Sequence, residues 1–525
     1  MNPLLLTDYY KTEHFKMYPE GMTLLYSNFT PRKSRIIGVN HVVAFGVQHF
    51  IKEYLIEKFN TEFFGKGRAR VLEEYSKHIN VDHKHIGALH ELGYLPIEIK
   101  ALPEGTLCPI GVPLLTIKNT HPDFGWLTNY LETLISCMLW QPITSATIAY
   151  EYKKILSKYA KETTGSDEGV QWQGHDFSMR GMSSVESAIL SGMGHLLSFT
   201  GTDTIPAIYQ LEQSYSATGL IGASVPATEH SVMCMGSKED EIGTFKALID
   251  KYPTGILSVV SDTWDLWKVC TEYLPALKKE ILQRDGKLVI RPDSGDPVDI
   301  ICGVEPKRLW DVERKKYKMT QWSTQGDRVT DVQEYDPKEV TEYAQKGVIE
   351  LLWDVFGGTV NEQGYKVLDP HIGAIYGDSI TMDRAVQICE RLKAKGFAST
   401  NIVLGIGSYT YQYNTRDTFG FAMKATYGEL THDIPTTIED DGKGNGWEKQ
   451  IEPREIFKDP VTDDGTKKSK KGLLRLVQHE DIEVVDQQTW AGEAASILQT
   501  VFKDGELVKE QTLEEIRNRL AGYKY

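Results

Sequence analysis

The 525-residue sequence carries 58 Lys and Arg against 73 Asp and Glu, a net charge of −15, with 41% hydrophobic and 25% charged residues. That composition describes a folded protein too long for one ordinary core, and the acidity argues against a general nucleic-acid binder, whose footprint is basic. Six scattered cysteines without metal-ligand spacing, no signal-like start and no membrane-length apolar stretch predict a cytoplasmic protein with reduced thiols.

Residues 1–164 mix strand-like pieces ("GMTLLYSNF" at 21–29, "LPIEIKAL" at 95–102, "VPLLTIKN" at 112–119) with helical stretches at 126–140 and 147–163. Residues 165–416 follow a different rule. Short apolar runs end in polar or Gly residues at "HDFSMRG" (175–181), "LLSFTGTDT" (196–204), "ASVPATEH" (223–230) and "ILSVVSDTWD" (256–265). The series continues with "KLVIRPDSGD" (287–296), "IGAIYGDS" (372–379) and "NIVLGIGS" (401–408). Between several of them lie stretches with apolar residues three and four apart, such as "TMDRAVQICERLKAKG" (381–396), which is helical spacing. Strand alternating with helix predicts parallel strands joined by right-handed crossovers, an α/β barrel or sheet. Residues 417–525 return to strand-like pieces ("GFAMKATYG", "GLLRLVQ") and an end helix, so a second, discontinuous α+β domain is expected from both chain ends. Charged residues 303–350 read as an insertion, and "KKSKKG" (467–472) as a solvated loop.

In such a fold the loops after the strands open on one face, where active sites collect. Asp176, Arg180, Asp203, His230, Asp262 and Asp378 stand at strand ends, as do Arg291, Asp293 and Asp296. Seven polar turns facing one way predict a site for an anionic, metal-bound substrate. Gly405, Gly407 and Ser408, with Gly377 and Asp378 on the preceding strand, could close backbone N–H groups around a phosphate, although tight turns need Gly anyway. Arg416 and Lys424 lie downstream to neutralise it. His230 is either an ordinary surface or core histidine or a base, phosphate ligand or phosphoryl acceptor. Asp262 and Asp293 could hold Mg²⁺ through water, or simply cap helices. Phe177 could pack a core or stack on a flat heterocycle. These residues predict a barrel enzyme for a phosphorylated substrate, and do not name the reaction.

The ordered set "TDYYKTEHFKMYP" (7–19), "LPIEIKALPEG" (95–105), "HDFSMRGMSS" (175–184), "GTDT" (201–204), "VPATEHS" (225–231), "VVSD" (259–262), "IRPDSGDP" (290–297), "YGDS" (376–379), "TRD" (415–417) and "FKDPVTD" (457–463) resembles the nicotinamide phosphoribosyltransferases over nearly the whole chain. The resemblance implies an irregular α/β barrel of the type II phosphoribosyltransferase kind, in homodimers with sites shared across the interface. It implies the reaction of nicotinamide with 5-phosphoribosyl-1-pyrophosphate to nicotinamide mononucleotide and pyrophosphate in NAD salvage, with Mg²⁺ and stimulation by ATP. Position by position, Phe177 and the partner's Tyr10 would sandwich the pyridine ring, and Asp203 would accept the carboxamide N–H₂. Arg180, His230 and Arg291 would meet pyrophosphate, and Asp293 the ribose or a metal-bound water. Gly377, Asp378, Gly407, Ser408 and Arg416 would hold ribose and 5′-phosphate, helped by Lys424 and Arg32. His230 would carry a phosphoryl group from ATP.

Departures stand beside the matches. The family's "GSGGG" turn is "GIGSY" at 405–409, a family serine is Ala422, and Ser178 and Met179 replace Gly and Tyr. A nicotinate phosphoribosyltransferase is the nearest alternative, disfavoured because an acid substrate would face Asp203. A non-catalytic binding or signalling protein on the same fold is the other, disfavoured because such a scaffold would not need Asp203, Arg180, His230, Arg291 and Asp293 together.

Overall fold

The computed structural model describes residues 1–305, 319–322, 328–331, 340–377, 379–436, 446–462 and 469–523. Strands β1 (Met22–Thr30), β2 (Ile97–Ala101) and β3 (Leu115–Asn119) come first, followed by the 33-residue helix α1 (Glu132–Thr164). Next come β4 (Gly174–Asp176), α2 (Val185–His195), β5 (Gly201–Thr202), α3 (Ile205–Tyr215), α4 (His230–Met235) and α5 (Glu241–Lys251). They lead to β6 (Thr254–Val260), β7 (Asp285–Arg291), α6 (Val348–Phe356), β8 (Ile372–Tyr376), α7 (Met382–Ala394), β9 (Ile402–Ile406) and α8 (Ser408–Tyr411). Strands β10 (Ala422–Thr436), β11 (Gly446–Glu455), β12 (Gln499–Lys503) and β13 (Glu506–Leu507) complete the main elements.

Two sheets organise them. One is antiparallel, in the order β11-β10-β1-β3-β2-β12-β13. It joins the two ends of the chain, pairing Asn28 with Lys424 and Ile99 with Phe502. The other is parallel, in the order β5-β4-β9-β8-β7-β6. Its two edges meet through the irregular segment 223–228: Thr202 N donates to Ala223 O, and Ser258 N donates to Pro226 O. Parallel bridges Gly201–Ala223 and Ala227–Ser258 make the same link, so the sheet closes into an irregular barrel. The expected fold class is therefore the observed one.

The register decides what faces inward. Neighbouring partners share a face and successive residues alternate. Pairs His175–Gly201, Gly405–His175, Ile375–Val403, Val289–Gly373 and Val260–Arg291 carry one face around the ring. The opposite face is Leu257, Val259, Leu288, Ile290, Ile372, Ala374, Ile402 and Leu404, all buried in the core beneath the helices. Helix α7 shows why those helices form. Thr381 caps it by accepting from Arg384 N, and Ala385, Ile388, Cys389 and Leu392 recur at three- and four-residue spacing as its buried stripe.

Two large hydrophobic cores fill the interior beside a small cluster of Tyr26, Leu473 and Leu474, and α1 enters both large ones. Its residues Leu134 to Ala146 and Tyr150 pack with the antiparallel sheet, whereas Ile148, Tyr152, Leu156 and Tyr159 pack with the barrel. Gly165, at φ +77°, ends the helix in the left-handed conformation that glycine tolerates best. Helices α2 and α3 contribute Leu190, Met193, Leu211 and Tyr215 to the first core although they follow β4. The 303–350 segment expected as an insertion lies largely outside the described residues; within it, 319–322 pairs antiparallel with 328–331, and α6 begins at Val348. The end of the "KKSKKG" run described here, at residue 469 onward, leads into a strand, with Ser469 Oγ accepting from Lys458 N.

One buried carboxyl sets a stability profile. Glu241, 2% exposed at the start of α5, has its pKa pushed up to about 7, first by burial and then by the Asp265 charge. The folded chain therefore keeps a proton that the unfolded chain has already lost above its usual pKa of 4.5. The stabilising share is full below that value and disappears as pH rises through about 7. Glu241→Gln is expected to leave the melting temperature unchanged at low pH and to raise it relative to wild type above neutrality, measured by calorimetry across the range.

Candidate active site

The alternating face ends in chemistry at the C-terminal ends of the strands. After β4, Phe177 continues the face of His175, and its N–H donates to Ile406 O of β9 at 3.0 Å. A Cβ on Gly405 would lie 2.8 Å from the Phe177 ring, so glycine leaves the space that the ring fills. The His175 and Phe177 rings lie 4.4 Å apart. After β5, Asp203 N donates to Asp176 O, which fixes the neighbouring loop. The Asp203 carboxylate accepts at Oδ1 from His175 Nε2 (2.9 Å) and from Ser224 Oγ (2.5 Å). Burial pushes its pKa up, but the His175 and Ser224 bonds and the Arg291 charge together hold it below the usual carboxylate value. Asp203 is ionised at neutral pH, and its described bonds all fall on Oδ1.

Asp176 corrects an expectation. It is fully buried and faces away from the mouth, with Oδ1 accepting from Ser178 N and Oδ2 from Thr204 Oγ1. It braces the two loops that carry Ser178 and Thr204.

On the opposite side of the mouth, Arg291 ends β7 and donates from Nη2 to Thr228 O, while its buried Nε has no partner among the described residues. Asp262, after β6, organises the "PDSGD" turn: its Oδ2 accepts from Asp293 N, Ser294 N and Ser294 Oγ. That dense turn explains part of the charge on this stretch. His230 Nδ1 lies 3.0 Å from Thr263 Oγ1, which leaves Nε2 facing Asp262 Oδ1 at 4.0 Å and Asp293 Oδ2 at 3.9 Å. Gly377 packs so closely that a Cβ would sit 2.8 Å from Asp293 Oδ1. Arg180, exposed on the turn after Phe177, makes no described hydrogen bond or salt bridge. Its neighbour Gly181 has Ser408 Oγ pressed against the position of a Cβ, so this turn rests on the start of α8, capped by Gly407.

The fit of a divalent ion can be judged from these groups. The Asp262 side chain is 5% exposed, and its buried Oδ1 has no hydrogen-bond partner. Two carboxylates near one point suit Mg²⁺, which takes few carboxylates and keeps waters and substrate phosphates. Among the described residues no cluster of three or more His, Cys, Asp or Glu could hold a metal alone.

The remaining expected site residues gather elsewhere. Tyr10, 62% exposed, contacts His14 (5.2 Å between rings) and Lys11, whose ammonium pairs with Glu132 at 2.7 Å. Lys424, on β10, has its pKa lowered first by burial and then by Arg32, Lys458 and Arg416, with Glu132 opposing. Arg32 Nε donates to Gly420 O, and Arg416 is half-exposed beside Asp417. Lys11 and Lys424 both feel the Glu132 charge, and no described hydrogen bond, ion pair or ring contact joins Tyr10, Arg32, Arg416 or Lys424 to Phe177 or Arg291. Asp378 lies outside the described residues.

Comparison with known proteins follows the same lines. The family model described as "Nicotinate phosphoribosyltransferase (NAPRTase) family" matches residues 172–506, and "Nicotinamide phosphoribosyltransferase, N-terminal domain" matches residues 2–99. A nicotinamide phosphoribosyltransferase of Acinetobacter baylyi is 49% identical, covering 99% of this chain and 97% of that protein. The chain belongs to the nicotinamide phosphoribosyltransferase family. The corresponding Mycoplasma pneumoniae protein is 35% identical over 88% of this chain and 92% of its own. The fold is shared with the crystal structure of a nicotinate-nucleotide pyrophosphorylase from Pyrococcus furiosus, at 14% identity and a TM-score of 0.54, covering 99% of this chain and 95% of that one.

Within the nicotinamide phosphoribosyltransferase family, two departures acquire a setting. Ser178 is buried and packs inside the turn, while Ala422 starts β10 opposite Thr30. Motif reasoning passed over His175, Ser224 and Thr263, which act through other side chains. His175 could have been found from the period-two alternation that places it on the face of Phe177.

Proposed function

We propose that this protein transfers the phosphoribosyl group of 5-phosphoribosyl-1-pyrophosphate to nicotinamide, forming nicotinamide mononucleotide and pyrophosphate in NAD salvage. The observation that carries the reading is the ionised Asp203, with Oδ1 occupied and Oδ2 left to a ligand, on the same inward face as the Phe177 ring. A carboxylate accepts from a carboxamide N–H₂ but offers no proton to an acid. The Phe177 ring stacks on the pyridine and orients its nitrogen toward the anomeric carbon. The nitrogen lone pair forms the new C–N bond as the C–O bond to pyrophosphate breaks, leaving that electron pair on the departing oxygen. Arg291 and Arg180 stabilise the negative charge as it develops. Asp262 and Asp293 would hold Mg²⁺ through water, and that ion would neutralise pyrophosphate oxygens. Gly377, packed close against Asp293, with Gly407 and Ser408 would leave backbone room for the ribose.

ATP enters this reading as a coupling substrate, with His230 Nε2 accepting its γ-phosphoryl group as the bond to ADP breaks. The protein works as a homodimer in which Tyr10, Arg32, Arg416 and Lys424 of one subunit complete the barrel mouth of the other. The support is that Tyr10 is exposed, and that no described contact ties Tyr10, Arg32, Arg416 or Lys424 to Phe177 or Arg291. We place the enzyme in the cytoplasm; all six cysteines are free thiols, and no helix among the described residues is long and apolar enough to cross a membrane.

Pure protein given phosphoribosyl pyrophosphate, Mg²⁺ and either base should form the mononucleotide of nicotinamide in preference to that of nicotinate; formation of nicotinate mononucleotide alone would refute the assignment. With ATP, intact-mass analysis should show an acid-labile phosphoryl adduct that His230→Ala lacks. An unmodified wild type under turnover would remove His230 from ATP coupling without touching the transferase assignment.

A further inference from the structure

His175 lies outside the groups that would touch substrate, yet it joins two that would. Its ring is almost completely buried on β4, 4.4 Å from the Phe177 ring, and its Nε2 lies 2.9 Å from Asp203 Oδ1. Because an ionised Asp203 can only accept, His175 Nε2 carries the hydrogen. Ser224 Oγ donates to the same oxygen from the segment that closes the barrel. Two donors converging on one oxygen fix the carboxylate's rotation, so Oδ2 is the oxygen that meets a ligand. The neighbouring strand is shaped for this ring: a Cβ on Gly201 would lie 2.7 Å from His175 Nδ1.

We infer that His175 is a specificity-positioning residue, which with Ser224 locks Asp203 as a pure acceptor aimed at the carboxamide and so sets the preference for amide over acid. This rests on the proposed phosphoribosyl transfer to nicotinamide and names the device that selects the base. Without the two donors, the Asp203 carboxylate would rotate more freely and would take up a proton more readily. A protonated Asp203 could donate to a carboxylate ligand, so discrimination would fall.

The test is kcat/KM for nicotinamide and for nicotinate, with KM for phosphoribosyl pyrophosphate, in wild type, His175→Ala, His175→Gln and Ser224→Ala. Loss of a hydrogen bond to a charged group predicts that His175→Ala cuts the amide-over-acid ratio about tenfold or more, chiefly through KM for nicotinamide. KM for phosphoribosyl pyrophosphate should stay within about twofold, since that interaction is untouched. His175→Gln, which can still donate, should recover most of the ratio. Ser224 is exposed, so Ser224→Ala tests the same lock without disturbing the core, and it should lower the ratio by a smaller factor. An equal fall for both bases in His175→Ala, or an unchanged ratio in Ser224→Ala, overturns the inference. A wild type that makes no nicotinamide mononucleotide refutes the underlying reading instead, so the two failures are distinguishable.

Discussion

Asp203→Asn is expected to collapse the discrimination between nicotinamide and nicotinate, mainly by improving use of the acid. The two bases are nearly isosteric, so shape alone cannot separate them. In wild type a nicotinate carboxylate would stand against the ionised Asp203, and two like charges about 3–4 Å apart cost roughly 4 kcal/mol at an effective dielectric near 20. At about 1.4 kcal/mol per tenfold, that is a preference of well over a hundredfold in kcat/KM. Asparagine removes the charge and supplies an N–H₂ donor where the carboxylate had none. His175 and Ser224 can still donate to the asparagine oxygen, so the loop should keep its shape. The measurement is kcat/KM for both bases in both proteins. A fall by the same factor for both would make Asp203 a structural residue and leave the choice of amide without a physical basis.

The second large effect is a rescue. Tyr10→Ala and Arg180→Ala are each expected to be nearly inactive, and mixing them under conditions of subunit exchange should restore activity. In a mixed dimer one site pairs an intact barrel mouth with an intact Tyr10, while the other carries both lesions. Equal mixing makes half of the dimers hybrid, so about a quarter of all sites should return to wild type if the dimer is two-fold symmetric. The geometry behind this expectation is plain. Tyr10 is exposed on a segment tied down by the Lys11–Glu132 ion pair, and its described contacts stay within that segment. Activity that fails to return after proven exchange would mean that each barrel works alone.

Much of the barrel was legible in the sequence because its information is local. Each strand is a short apolar run followed by turn residues, and α7 announces itself by the spacing of Ala385, Ile388, Cys389 and Leu392. The strand-end placement of Phe177, Asp203, Arg291 and Gly377 was legible because strands that alternate inward and outward put their ends on one face. Asp176 was misjudged for the same reason: one position earlier than Phe177, it points the other way. The antiparallel sheet was harder, since the pairing of Asn28 with Lys424 spans nearly the whole chain and leaves no local trace. Nor could periodicity assign α2 and α3 to the first core, because an apolar stripe does not say which neighbour covers it. Where Lys424, Arg32 and Tyr10 lie relative to the barrel mouth could not be read either, as motif order records succession along the chain and not distance.

The helix Glu132–Thr164 has a mechanical consequence. Because its N-terminal half is rooted in one core and its C-terminal half in the other, it ties the two together as one continuous helix, with Pro142 inside the half that packs with the antiparallel sheet. A swing of one half against the other would have to bend this helix or draw its side chains out of a core. Closing over the mouth is expected instead from short loops, such as the turn carrying Arg180, or from a surface brought from outside the chain. For the same reason, neither half can come apart without stripping apolar side chains from the other, so heat should melt the protomer in one cooperative step.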